Sequence, residues 1–179
     1  MKTFKILFAA IIIAGFANTA MAQDSSADAT ASAEARVIAD LDITKDTDIS
    51  WGDVAQSSSP NINPTNGTFD AAGLNGSGIS VGKFTIDGTQ GASIIITWGH
   101  NNLTGPGDAI IWTPELSYLA SDGNNEGVAH GGEEIESGDD KILGDEGIGM
   151  VFVGGEITIA SEQMPGTYNG DITVTVEYN

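Results

Sequence analysis

A chain of 179 residues without cysteine excludes a disulfide framework and thiol chemistry. Its 25 acidic side chains face only six basic ones, and a formal charge of −19 repels nucleic acid and anionic lipid headgroups. Such a surface suits dispersion in water, cations or a basic partner.

Lys2 and Lys5 precede an apolar run from Ile6 to Phe16, and Ala20-Met21-Ala22 then supplies an A-x-A cleavage site. The pattern predicts a signal peptide over residues 1–22, with the mature chain starting at Gln23. The apolar run is well short of the roughly twenty residues a spanning helix needs. No later segment is longer or more apolar, so the mature chain is expected to be exported without a transmembrane segment. Removal of the leader leaves four basic residues against 25 acidic ones, a formal charge of −21. The remainder is long enough to bury roughly two thirds of its unfolded surface in one domain, so no staple is needed.

Residues 23–30 are polar and small and read as a flexible N-terminal arm. From there Ala31, Ala33, Ala35, Val37, Ala39, Leu41 and Ile43 alternate with mostly polar residues, the period of a half-buried strand. Alanine packs weakly, so its firm part is expected to begin near Val37. The same period recurs at Ile49 and Trp51, Ile79 and Val81, Phe84 and Ile86, and Ile94, Ile96 and Trp98. It returns at Leu116 and Tyr118, Val151 and Val153, Ile157 and Ile159, and in a last strand at Ile172, Val174, Val176 and Tyr178. The phase slips at Gly82, which predicts a bulge there. Breakers separate the runs at Pro60 to Gly67, Asn75-Gly76, Asp87-Gly88, Gly105-Pro106-Gly107 and Pro165-Gly166. With no helical period after the leader, the chain is all-β, a sandwich or barrel over residues 31–179. Residues 123–149, rich in Gly, Asp and Glu, read as a long exposed loop on which Ile135, Ile142 and Leu143 make a short hairpin.

One group of residues has metal-ligand spacing. Asp122, Asn124 and Glu126, then Gly127 and Glu133, nearly match the twelve-residue calcium loop, with oxygens at positions one, three, five and twelve and glycine at six. The same residues also read as a solvated acidic loop, together with Glu134, Glu136, Asp139, Asp140, Asp145 and Glu146. Calcium is thus the single cofactor candidate. His100 and His130 stand apart with no second ligand type at metal spacing, and no nucleophile motif such as G-x-S-x-G is present. These features point away from an enzyme. Trp51 and Trp98 fall on the apolar phase of their strands and are expected in the core. Trp112, in an unphased run before Pro114, is the aromatic whose exposure is open. Asn66-Gly67-Thr68, Asn75-Gly76-Ser77 and Asn102-Leu103-Thr104 match the glycosylation pattern but read as turns behind a bacterial-looking leader.

The segments Ala29-Thr30-Ala31-Ser32-Ala33, Leu41-Asp42-Ile43-Thr44-Lys45, Asp48-Ile49-Ser50-Trp51-Gly52, Gly82-Lys83-Phe84-Thr85-Ile86-Asp87-Gly88, Val153-Gly154-Gly155, Pro165-Gly166-Thr167-Tyr168-Asn169-Gly170 and Val174-Thr175-Val176-Glu177-Tyr178-Asn179 carry a resemblance. Together they resemble the secreted bacterial family known as domain of unknown function 4402. That resemblance implies a single immunoglobulin-like or pilin-like antiparallel β-sandwich, exported to the periplasm or cell surface of a Gram-negative bacterium, with some members similar to fimbrial subunits. It implies no catalytic residues. Independently of it, Pro165 and Gly166 turn the chain ahead of Tyr168, whose hydroxyl is expected to bond back to the backbone as in a tyrosine corner.

Two functions follow as expectations. One is a structural or adhesive envelope protein that associates with itself or other envelope proteins, the Ala-rich arm from Ala29 to Ala35 adding to a neighbour's sheet edge. The other is a monomeric module binding calcium or a carbohydrate through residues 122–146.

Overall fold

Four consecutive apolar residues, Met150 to Val153, have no polar face, and a strand of that kind is stable only when covered on both sides. The computed structural model, which describes residues 29–70 and 78–179, builds the fold on that strand. The signal peptide, most of the 23–30 arm and the Asn75-Gly76 turn lie outside the described residues. The chain divides into two units, residues 1–36 and 37–179. In the first, residues 29–36 are exposed and belong to no strand.

In chain order the strands of the second unit are β1 (Asp42–Thr47), β2 (Ser50–Trp51), β3 (Asn61–Ile62), β4 (Phe69–Asp70), β5 (Ile79–Ser80), β6 (Gly82–Asp87), β7 (Ser93–His100), β8 (Ile111–Ala120), β9 (Glu133–Ile135), β10 (Asp139–Ile142), β11 (Ile148–Thr158) and β12 (Ile172–Tyr178). Among the described residues a single 3-10 turn, Asp145–Gly147, precedes β11. β11 pairs with β8 along its whole length, from Gly149↔Ala120 to Thr158↔Ile111. Its opposite edge is shared by β6, over residues 148–153, and β3, over 155–156. β1 extends this sheet from β6, β4 from β3 and β9 from β8. A second sheet runs β10-β7-β12, and β2 with β5 forms a small third one. All pairings are antiparallel.

The core lies between the two larger sheets. Ile94, Ile96 and Val174 come from the second sheet, and Ile86, Leu116, Tyr118, Val151 and Val153 from the first. Each falls on the apolar phase of its strand. Val151 and Val153 thus face the second sheet, while Met150 and Phe152 point to the opposite face of β11 and are equally buried. There residues 121–132 lie over them. Ser117 Oγ donates to Gly131 O at 2.6 Å, and Gly131 N donates to Pro64 O at 3.0 Å. The Lys83 ammonium sits 5.9 Å above the Phe152 ring and donates to Glu126 O.

Three expectations are corrected. The alternation from Ala31 does not make a strand before Asp42, and Val37 is 93 % exposed, because alanines bury too little area to fix a backbone that has no partner. The register break near Gly82 falls on the facing strand instead, where Asp46 is the extra residue between Lys45↔Phe84 and Thr47↔Lys83. Residues 123–149 are not one exposed loop with a local hairpin. β9 joins β8 and β10 joins β7, so the segment crosses from one sheet to the other, with Ile135 and Leu143 buried and Ile142 exposed.

Replacing Phe152 by alanine removes a fully buried ring and is expected to cost about 3 to 5 kcal/mol in chemical denaturation. Val37→Ser is expected to leave the melting temperature unchanged. A Phe152→Ala variant as stable as the parent would contradict the burial of the outer face of β11.

Candidate functional site

The residues with calcium spacing are spread over two elements. Asp122 Oδ1 accepts from Asn124 N at 3.0 Å, and Asn124 Nδ2 donates to Asp122 O at 3.2 Å, closing a turn just after β8. The Glu126 carboxylate accepts from Ser121 Oγ. Glu133 lies on β9, where its carboxylate accepts from Lys141 Nζ at 2.7 Å. Asp122, Asn124 and Glu126 are therefore neighbours in one turn, while Glu133 is committed to the Lys141 ammonium. Among the described residues no group of three or more His, Cys, Asp or Glu is placed to hold a metal ion.

The histidines also serve separate places. His100 Nε2 lies 3.1 Å from Trp112 O, its ring edge-on to Trp112, whereas the His130 ring packs on Gly67 in the β3–β4 turn. Trp112, whose exposure the sequence left open, is 2 % exposed. It meets Trp51 at 5.4 Å between ring centroids, nearly perpendicular. The Trp51 indole donates to Gly155 O at 3.1 Å and that of Trp112 to Gly154 O at 3.2 Å. Gly154 and Gly155 thus supply the carbonyls that satisfy both indoles, and a Cβ on either would strike the backbone of β3 at Ile62 or of β8 at Thr113. Trp98, expected in the core, is half-buried against it.

Three tyrosines tie distant segments together. Tyr168 Oη donates to Met164 O at 2.8 Å and accepts from Gly107 N at 3.0 Å, the backbone bond expected of a tyrosine corner. Tyr118 Oη donates to Ile142 O at 2.8 Å and joins the first sheet to β10, and burial pushes its pKa well above the ordinary value of 10.0. Tyr178 Oη donates to Ala39 O at 3.0 Å and accepts from Thr89 N at 2.8 Å, clasping the root of the N-terminal segment to the end of β12. Sequence alone did not indicate this last contact, since a tyrosine at the end of an alternating strand reads only as core.

Two grooves lie where the 45–54 segment faces the 166–172 segment. One of about 330 Å³ is lined by Trp51, Asp53, Val54, Ile157 and Tyr168 among others. A second of about 460 Å³ runs between Lys45, Asp48 and Phe84 on one side and Asp171 and Ile172 on the other, with Val153 at its base. They share Ile49, Trp112, Asn169 and Gly170 and so form one continuous furrow. Trp51, Trp112, Val153 and Ile157 line its apolar part, and Lys45, Asp48, Asp53 and Asp171 its charged part.

Residues 41–178 match the family described as Domain of unknown function (DUF4402). The chain belongs to this family. No curated protein and no solved structure gives a significant match. The DUF4402 region opens one residue before β1 and closes with the last residue of β12. The exposed segment 29–40, with Ala29 to Ala33 counted in the resemblance above, lies before the matched residues. No helix of the described residues is long and apolar enough to cross a membrane.

The raised Tyr118 pKa fixes a sign. The folded state holds the phenol proton more tightly than the unfolded chain, so this stabilisation is complete below pH 10 and is lost as the pH climbs past it. Tyr118→Phe is expected to melt lower at neutral pH, by about 1 kcal/mol for the missing hydrogen bond. Above pH 10 its stability is expected to fall less steeply than the parent's. Parallel alkaline melting curves for the two proteins would show that Tyr118 titrates normally.

Proposed function

We propose that this DUF4402 protein is an exported, non-catalytic structural subunit of the bacterial envelope that associates with copies of itself through its N-terminal segment. The observation that carries the reading is the state of residues 29–38. They have the two-residue period of a strand, they pair with nothing in a described strand, and they leave Val37 almost wholly in water. Strand-patterned backbone with no ladder is suited to completing another sheet, since main-chain hydrogen bonds supply affinity and alternate side chains supply fit. The leader pattern supports export, and the resemblance supports the periplasm or surface of a Gram-negative cell. The internal commitments of Asp122, Asn124, Glu126 and Glu133 favour a structural role for these acids over catalysis or ligand binding.

The test is size. Protein expressed with its own leader is expected to show multimers by light scattering and in cross-linked ladders, and removal of residues 23–35 is expected to leave a folded monomer with the parent's melting temperature. A parent that stays monomeric at every concentration overturns the proposal. A melting temperature that rises with calcium and falls with chelator would favour the binding module on residues 122–146 in its place.

A further inference from the structure

We infer that the receptor for this segment is the outer edge of β12 on a second copy of the chain. The inference rests on the assembly reading above and adds the surface that accepts the arm.

Edge strands invite pairing unless they are short, charged or bulged. Among the described strands, β4 has two residues and β9 three. β10 has four, three of them charged, Asp139, Asp140 and Lys141. β1 has six, but it carries Asp42, Lys45 and Asp46 and is broken by the bulge at Asp46. β12 differs on every count. It is seven residues long, its register on β7 runs unbroken from Ile172↔His100 to Tyr178↔Ile94, and Glu177 is its only charge. It is also the last strand of its sheet, so its second edge has no partner there.

That second edge looks across a seam at β1 and β6. At one end Tyr178 reaches Ala39, and at the other Ile172 faces Lys45 and Phe84 across the 460 Å³ groove. Ile49, Phe84 and Ile172 line the groove, Leu41 and Tyr178 meet at Gly88 at the other end, and all five are half-buried apolar residues packed on the core. A seam so bordered takes a strand with small apolar residues on one side and polar residues on the other.

Residues 31–37 meet this description. They number seven, as β12 does, with Ala31, Ala33, Ala35 and Val37 on one face and Ser32, Glu34 and Arg36 on the other. Alanines fit a seam already half filled by larger side chains. Arg36 brings one of the four cations that follow the leader to an edge bearing Asp171 and Glu177. Ala39 is fixed by Tyr178 Oη on its carbonyl and by Thr89 Oγ1, which accepts from its N–H at 2.6 Å. Each subunit thus has a firm root for its own arm beside the receptor for another's. A contact of this kind, with different surfaces on the two sides, propagates into chains unless its geometry closes.

The absence of native cysteine allows a direct test with two tagged forms of the full chain. Glu34→Cys, or Ser32→Cys two residues earlier in the register, is mixed with Thr175→Cys, with Ile142→Cys on β10 as control. The expected result is an intermolecular disulfide to Thr175→Cys several-fold in excess of that to Ile142→Cys. Ala35→Pro, which deletes an N–H in an exposed segment, is expected to abolish the multimers at unchanged melting temperature. Preferential cross-linking to Ile142→Cys overturns β12 as receptor while leaving assembly through the arm intact. A disulfide formed only within one chain carrying both Glu34→Cys and Thr175→Cys shows that the arm covers its own β12, and overturns both. So does a parent without multimers.

Discussion

β11 is paired on both edges and covered on both faces, and the other elements are arranged around that requirement. Its inner side chains, Val151 and Val153, meet the second sheet, as in any sandwich. Its outer ones, Met150 and Phe152, would lie in water if the 121–132 segment did not cover them. Leaving a side chain of that size exposed forfeits about 1.5 to 3 kcal/mol, so the cover is a structural element despite its loop-like composition. It is held by Ser117 Oγ to Gly131 O, Gly131 N to Pro64 O, Asn125 Nδ2 to Ala120 O and the Lys83 ammonium to Glu126 O. Lys83 thus does two things at once, anchoring an acidic segment and setting its ammonium over the Phe152 ring.

The point at which β11 changes partner shapes the open end of the molecule. Beyond Val153 the neighbour on one edge is β3 in place of β6. Gly154-Gly155 occupies the junction, and a Cβ on Gly155 would lie 2.1 Å from Thr113 O, with φ at +107°, a conformation that side chains resist. The missing side chains let the backbones of β3 and β8 approach, and the indole N–H groups of Trp51 and Trp112 satisfy the two glycine carbonyls. Trp112 then forms part of the furrow between the 45–54 and 166–172 segments. The groove and the buried aromatic pair thus meet at Trp112.

Much of this was legible from side-chain period alone. The inward residues of β7, β11 and β12 and the burial of Trp51 follow from alternation, and the Tyr168 hydroxyl bonds back to Met164 as the turn chemistry of Pro165-Gly166 implies. The errors have physical reasons. Alternation from Ala31 to Leu41 states what a strand would bury, but not whether a partner exists, and alanine offers too little area to decide the matter within one chain. Residues 123–149 hold few apolar side chains, yet Ile135 and Leu143 suffice because β9 and β10 pair with strands far away in sequence, which no local pattern reveals. The Asp122 to Glu133 spacing resembles a calcium loop because tight turns and oxygen-ligand sites draw on the same Asp, Asn and Gly residues. Here the oxygens of Asp122 and Glu126 accept hydrogen bonds from within their own turn.

Charge and edges bear on each other. A chain this acidic repels copies of itself, and within the roughly 8 Å over which charges act at physiological ionic strength the repulsion depends on where the contact is made. An approach along β10 brings Asp139 and Asp140 together with the partner's acids, and one along β1 adds Asp42, Asp46 and Asp48. β12 presents backbone, threonines and Glu177, with Asp171 just before it. On the proposed assembly, that acidity narrows the ways in which two copies can meet, leaving least opposed the approach in which main-chain groups provide the attraction. Specificity on this reading comes less from what β12 attracts than from what the other edges refuse.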